Sequence, residues 1–184
     1  MTNEVLVDAI RDSFARTTYS HKTCEKQLEI QFSSLCWYRW IRFAVIAITA
    51  SGAISAIFSE SRLIECLTAI FACISLMLTL YDLGTKPEEN LADLQRTTRD
   101  LWFVREKLFH LIADYQSGLI SDERATQIRD GLLDKLNEAY HDAPQTTSRA
   151  YKKAQKALNL DEEMTFSDKE IDNYLPTSLK KSKP

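Results

Sequence analysis

The sequence predicts an all-α integral membrane protein, in which a two-helix transmembrane hairpin joins N- and C-terminal cytoplasmic helices that form a bundle and assemble into a homo-oligomer. Residues 43–58 carry no charge, and a second apolar run over residues 63–83 contains one acid, Glu65, before Asp82. A short polar link separates the two runs. After the second run, apolar residues recur at heptad spacing, which is typical of packed helices.

Both apolar runs are close to the length of a bilayer crossing. A hydrocarbon core needs about 20 mainly apolar residues, and the predicted spans are residues 41–58 and 63–83, with Arg42 reaching back to the interface. The link between them is short enough to require an antiparallel pair. A buried helical pair in a soluble bundle is the alternative that length alone leaves open.

The flanks of the spans favour a membrane and set its orientation. Aromatic and basic residues alternate before the first span, as expected at a headgroup boundary; this interface belt comprises Trp37, Arg39, Trp40 and Arg42. Basic residues flank the pair on both outer sides, whereas the link has Arg62 alone. We therefore expect a multi-pass protein of the inner (cytoplasmic) membrane, with both termini in the cytoplasm: an N-terminal segment 1–36, a hairpin 37–83 and a helical region 84–184.

Composition argues against several other classes. The net charge of −3 gives no support for direct nucleic-acid binding, and four glycines provide no phosphate-cradling loop. The scattered cysteines indicate reduced thiols, and no signal peptide is apparent. Two pairs, His21 with Cys24 and His110 with Asp114, share helix faces but lack further metal ligands. We expect no catalytic site, no metal and no cofactor, and hence not an enzyme.

A polar stripe runs along each predicted span. On the second span six residues fall on one helical face: Glu65, Thr68, Ala72, Ser75, Thr79 and Asp82. On the first span Ala47, Ser51, Ser55 and Ser59 recur every four residues, with Gly52 and Ala56 adjacent, a pattern that lets helix backbones approach closely in lipid. One interpretation is helix packing through small residues. The other is a water-filled path between hairpins, with rings of Glu65 and Asp82 at its mouths, although Glu65 is also within reach of Arg62.

The cytoplasmic segments read as amphipathic helices. Before the membrane, two apolar faces predict two helices, or one helix broken near residues 17–20. After it, a heptad seam predicts a coiled-coil-like contact for oligomerisation or for packing within the chain: Leu94, Leu101, Val104, Leu108, Leu111 and Tyr115. Further helices are expected around residues 128–140 and 150–157, and a capping box at Ser167 and Glu170 predicts a short last helix.

This arrangement resembles the SLATT family of two-transmembrane effector domains. The resemblance spans the chain and is carried by the aromatic-basic residues 37–40, the passage into a helix after Tyr81, and residues 170–176, EIDNYLP. It implies a membrane-permeabilising or pore-forming effector of bacterial anti-phage defence that causes cell death or growth arrest. The trigger would come from a companion sensor, a cyclic-oligonucleotide synthetase or a reverse transcriptase, or from its product. The alternative is a non-conducting membrane anchor or scaffold that localises a cytoplasmic partner.

Overall fold

A computed structural model describes residues 3–58 and 61–181. These residues form six α-helices and a final 3₁₀ turn: α1 (Glu4–Phe58), α2 (Arg62–Thr85), α3 (Pro87–Gln116), α4 (Asp122–His141), α5 (Ser148–Asn159), α6 (Asp168–Tyr174) and Thr177–Leu179. No strand occurs in the described part of the chain, so the prediction of an all-α protein is confirmed there.

Helix α1 is one continuous helix of 55 residues, about 80 Å long at 1.5 Å per residue. The expectation of a break near residues 17–20 is therefore wrong. The Thr17 and Thr18 hydroxyls donate to the carbonyl oxygens of Ser13 and Phe14, at 2.7 and 2.8 Å, and are satisfied without leaving the helix. Their helix propensity costs only a few tenths of a kcal/mol each, which packing against α3 and α5 readily outweighs.

Helices α3 and α4 pack on the N-terminal half of α1. Their main hydrophobic cluster contains Leu6, Ile10, Val104, Leu108, Leu111, Tyr115, Ala125 and Leu132, and a second one contains Cys24, Leu94 and Leu101. Helix α3 runs antiparallel to α1, so the end of α3 lies beside the start of α1. There the Asn3 backbone N–H donates to the Tyr115 hydroxyl at 2.9 Å. That hydroxyl donates in turn to Asp122 at 2.7 Å and fixes the start of α4.

Helix α5 approaches α1 through an alanine face. Ala150, Ala154 and Ala157 are buried, and their small side chains let the two backbones come close. The N-cap residue Thr147 donates from both its backbone N–H and its hydroxyl to the Gln27 side-chain oxygen, at 3.0 and 2.8 Å. The Gln27 amide thereby anchors the start of α5 to α1.

Helices α1 and α2 form an antiparallel pair. Arg42 contacts Asp82 near one end of the pair, and Gly52 contacts Thr68 farther along. A sharp elbow separates α2 from α3 at Lys86, which adopts the left-handed conformation (φ 42°) and donates its N–H to the Asp82 carbonyl oxygen at 3.0 Å. Pro87 then starts α3, since its missing N–H and fixed φ suit a first helical position.

One helical stretch of the described residues, Arg62–Gln116, contains a window long and apolar enough to cross a bilayer. None of that window is buried within the chain. A core helix of a soluble protein would be mostly covered by its neighbours, so the exposure of α2 favours association with a membrane.

Candidate functional site

The contact face between α1 and α2 is defined by close approach at one glycine. A Cβ built at Gly52 would overlap the Thr68 hydroxyl oxygen and lie 3.3 Å from the Thr68 Cβ. On the same face of α1, Val45 is buried and Thr49 is half-buried, at steps of four and three residues. These positions form the surface of α1 that α2 covers.

The predicted stripe of α2 divides between two environments. Thr68, Ser75, Thr79 and Asp82 are half-buried, on the side of α2 turned towards α1. Glu65 and Ala72 lie at the edge of the stripe and are exposed. The structure therefore brings four of the six residues to the helix contact and leaves the other two free to meet a neighbouring molecule.

The predicted small-residue stripe of α1 lies outside this contact. Ala47, Ser51 and Ser55 are exposed on a different flank of the helix, and Ser59 lies outside the described residues. Close packing within the chain uses Gly52 instead. Gly52 is recognisable in the sequence because it is the only glycine of the first predicted span and follows Ser51 directly.

Hydroxyl groups in the contact are satisfied by their own helices. Thr49, Thr68 and Thr79 each donate to the carbonyl oxygen four residues earlier, at 2.8 to 2.9 Å. Such bonds let a hydroxyl lie in an apolar environment without a partner on the neighbouring helix. Each oxygen retains acceptor capacity, so the stripe can still accept hydrogen bonds from water.

Ion pairs surround the elbow at the base of the pair. Arg42 pairs with Asp82 at the end of α2, and Arg39 pairs with Glu88 at the start of α3. One Asp82 carboxylate oxygen is buried without a hydrogen-bond partner, and the Tyr38 hydroxyl donates to the Leu78 carbonyl oxygen at 2.9 Å. The two arginines of α1 thus bracket the bend between α2 and α3.

The interface belt lies at the same level. Trp37 and Trp40 are 72% and 71% exposed, and nothing in the described part of the chain covers them. Large aromatic side chains in this state, beside cationic groups, match the environment of lipid headgroups.

The heptad seam is buried inside the chain. All six residues, Leu94, Leu101, Val104, Leu108, Leu111 and Tyr115, are at most 3% exposed, and they pack against α1 and α4. Their apolar surface is therefore used within one copy in this state.

A cationic cluster on α1 holds the segment that follows α5. Lys22 bonds to Glu163 at 2.6 Å and to Glu25 at 2.7 Å, and Lys26 reaches Glu163 at 3.4 Å. The neighbours Glu162 and Met164 have positive φ angles of 50° and 75°, which non-glycine residues rarely adopt. The ion pairs thus hold a strained segment against α1, a feature that the sequence pattern does not reveal.

The same pairs shift the acidity of the groups involved. The hydrogen bond from Lys22 lowers the pKa of the Glu163 carboxyl below its usual 4.5. Burial alone would lower the pKa of Lys22, but the hydrogen bonds with Glu163 and Glu25 outweigh it and raise the pKa. Both shifts favour the charged pair at neutral pH.

We expect replacement of Glu163 by glutamine to flatten the dependence of stability on acid. Because the folded pKa of Glu163 is lowered, its stabilisation is present above about pH 4.5 and is lost as the pH falls through the folded pKa. The effect should be about 1 kcal/mol or less, since the side chain is 39% exposed. Thermal unfolding in detergent at neutral and acidic pH measures it. Glu162→Gln, one residue away, is the matched control, and an identical acid response of both variants would contradict the assignment.

The two histidine-containing pairs considered as metal ligands differ in exposure. His21 is 3% exposed, and its burial lowers the pKa of the imidazole. Burial also raises the pKa of the Cys24 thiol to about 11, which keeps the thiol protonated at neutral pH. His110 and Asp114 are exposed on α3. No cluster of three or more His, Cys, Asp or Glu side chains that would suit a metal occurs among residues 3–58 and 61–181.

The geometry defines a helical protein with an apolar, uncovered α2 that is paired to a long first helix and followed by a packed helical region. Residues 6–170 match the family described as SMODS and SLOG-associating 2TM effector domain family 4, SLATT_4. The chain belongs to this family, and the resemblance seen in the sequence is confirmed. No curated protein and no solved structure matches the chain. The family is named for membrane effector domains associated with defence systems and is not a known class of enzyme.

Proposed function

We propose that this chain is a membrane-permeabilising effector of a bacterial anti-phage defence system. It inserts in the inner membrane as a two-pass hairpin with both termini in the cytoplasm and acts as a homo-oligomer. A companion sensor, a cyclic-oligonucleotide synthetase or a reverse transcriptase, triggers it directly or through its product. The resulting leak kills the infected cell or arrests its growth.

The exposed side chains of the α1–α2 pair support the proposed two-pass topology. Apolar side chains of α2 and of the C-terminal part of α1 face outward, as they do in lipid. Trp37 and Trp40 lie at the end of the pair where α1 leaves for the packed helices, and the basic flanks lie on that side. Positive charge next to the spans is retained on the cytoplasmic side of bacterial membranes.

The observation that carries the proposal is the polar face enclosed by the apolar pair. Thr68, Ser75 and Thr79 line the contact with α1, and Ser51 and Ser55 remain exposed on the outer flank of α1. A hydroxyl group that faces lipid finds no hydrogen-bond partner there. Between neighbouring α1–α2 pairs, the same group can bond to another hydroxyl or to water. In an assembly of several α1–α2 pairs, these hydroxyl-bearing residues can therefore serve either as packing surfaces between helices or as the lining of a hydrated path.

Gating is supported by the connection between the two halves of the chain. The seam from Leu94 to Tyr115 fastens α3 to α1, and the Arg39–Glu88 and Arg42–Asp82 pairs fasten the elbow. A trigger that binds one arrangement of these helices better than another shifts the equilibrium between a closed and an open stripe. Signal recognition in the cytoplasm then becomes leakage across the membrane.

We expect the double variant Ser75→Leu with Thr79→Leu to abolish dye and ion release from liposomes and toxicity in cells. The leucines replace the hydroxyls in the contact and make the path apolar, while α2 stays long enough to insert. The matched control is Cys66→Leu with Cys73→Leu, because both cysteines are exposed on α2 outside the stripe. Equal release by the two variants at equal insertion would overturn the conducting stripe.

A non-conducting anchor is the second candidate function, and the threonine hydrogen bonds favour it. Thr49, Thr68 and Thr79 are satisfied by backbone carbonyls, so they are stable in a dry contact between helices. An anchor predicts that the leucine variant still recruits its cytoplasmic partner and that the wild-type chain, inserted and triggered, releases no dye. Release by the wild type excludes this candidate.

A further inference from the structure

Two exposed helix faces of opposite charge lie at the same level of the molecule. The basic ridge on α5 comprises Arg149, Lys152, Lys153 and Lys156, and the acidic ridge along α4 and its C-terminal cap comprises Asp130, Asp134, Glu138 and Asp142. We propose that the basic ridge of one copy docks on the acidic ridge of the next, so that copies of this chain assemble head to tail. This inference rests on the homo-oligomer of the proposed function and supplies its interface.

The basic ridge is fixed in place by the opposite side of its helix. The buried alanines Ala150, Ala154 and Ala157 turn the lysines and Arg149 outward, and the four cations fall within eight residues. Arg149, Lys152 and Lys153 have no ion-pair or hydrogen-bond partner among the described residues, and Lys156 approaches Asp161 only at 3.9 Å. The ridge is a concentration of unpaired positive charge on a chain whose net charge is −3.

The acidic ridge has the spacing of a single helix face. Its four members recur every four residues and are all exposed. Asp130, Asp134 and Glu138 lie on the side of α4 away from the buried Ala125 and Leu132, and Asp142 follows at the C-terminal cap. Asp130 contacts Arg129 at 2.7 Å and Asp142 contacts His141 at 2.9 Å. Asp134 and Glu138, at the centre, have no partner in the part of the chain that the structure describes.

Contacts with α1 show that the ridges lie at one height. Thr147 at the start of α5 bonds to Gln27, and the Tyr151 ring lies 6.3 Å from that of Tyr19. Tyr140 of α4 lines a groove together with Ser20. Both ridges therefore lie beside the stretch of α1 between its first turns and Gln27, and a contact between them keeps neighbouring copies level.

The two ridges point in different directions, so one copy cannot pair them with each other. Leu133 and Tyr140 of α4 face Tyr151 of α5 across the groove, whereas the basic ridge lies on the far flank of α5. A contact between different surfaces of identical chains repeats and closes into a ring when the rotation allows. With copies level along α1, the α1–α2 pairs of all copies lie side by side in one membrane.

Charge reversal tests this interface on the full chain in detergent micelles. Lys152→Glu with Lys153→Glu places two acids at the centre of the basic ridge and cancels its net charge. Asp134→Lys with Glu138→Lys places two cations at the centre of the acidic ridge and cancels its net charge. We expect each variant alone to raise the dissociation constant between copies by about tenfold or more, because like charges then face each other. Mixing the two variants should restore assembly, since each ridge again meets its opposite. Sedimentation of the purified chains measures this.

The control reverses two exposed charges elsewhere, Arg99→Glu with Lys169→Glu, and should leave assembly unchanged. Wild-type assembly should also weaken as salt shortens the screening length from about 10 Å at ~0.1 M to about 3 Å at ~1 M. A monomeric wild type, or an unchanged oligomer in either reversed variant, overturns the proposed interface. Dye release is scored separately. Release by a chain whose assembly is unchanged by both reversals rejects the ridge contact alone. A wild-type chain that assembles through the ridges but releases no dye rejects the permeation function alone.

Discussion

Replacing Leu108 by alanine should lower the free energy of unfolding by about 2 to 5 kcal/mol, the range measured when buried leucines are truncated. Leu108 is fully buried in the cluster formed by α1, α3 and α4. Its removal leaves a cavity that three helices cannot close together, because each is fixed by other contacts. Thermal or denaturant unfolding in detergent, followed by circular dichroism, measures the loss.

The adjacent Phe109 provides the control. It is 54% exposed on the outer side of α3, and Phe109→Ala should cost far less although it removes more atoms. The loss at Leu108 should also be independent of protein concentration, because the seam packs within one copy. A loss that grows on dilution would place Leu108 between copies and contradict the packing described above.

Replacing Gly52 by valine should force α1 and α2 apart. The new Cβ would overlap the Thr68 hydroxyl, which is held by its bond to the Ile64 carbonyl oxygen and belongs to a short branched side chain. Overpacking of this kind costs about 1 to 3 kcal/mol. Under the proposed function the same displacement should change dye release, because the stripe lies in the contact between α1 and α2.

A double-mutant cycle isolates the cause. Thr68→Ala removes the overlapping hydroxyl, so Gly52→Val with Thr68→Ala should recover part of the stability that Gly52→Val loses. Gly84→Val is the matched control, since a Cβ at that position of α2 meets nothing within 4 Å. Equal losses at positions 52 and 84, without recovery in the double variant, would show that helix propensity and not contact sets the cost.

Local patterns predicted the helices well. The capping box is present, with the Ser167 hydroxyl accepting from the Glu170 N–H at 3.3 Å and the Glu170 carboxylate accepting from the Ser167 N–H at 2.8 Å. Pro87 occupies the first position of α3, which its fixed φ favours, and Ser117 follows the last residue of that helix. These features depend on residues close in sequence, so a single chain is enough to read them.

The faces used for packing were harder to predict. A heptad seam indicates that an apolar surface is covered by another helix, but the spacing of residues on α3 does not specify which helix. In the structure, residues Leu94 to Tyr115 pack against α1 of the same chain. In the predicted spans, lipid and a neighbouring helix would both be apolar surroundings, so the sequence pattern lacks the contrast between buried and exposed positions that marks a soluble core. The serine stripe and Gly52 were therefore equally good candidates for the contact.

The unbroken course of α1 has a mechanical consequence. The N-terminal half of α1 is packed against α3 and α5. Because the helix is continuous, a rotation of that half about the region of Trp37 and Trp40 also moves the C-terminal half. The predicted span, residues 41–58, covers about 27 Å of helix rise, so a tilt of about 10° displaces its far end by roughly 5 Å. That is about half the usual distance between the axes of two packed helices. A small change in the angle at which α3 and α5 hold the N-terminal half of α1 thus becomes a displacement of several ångströms at the far end of the helix.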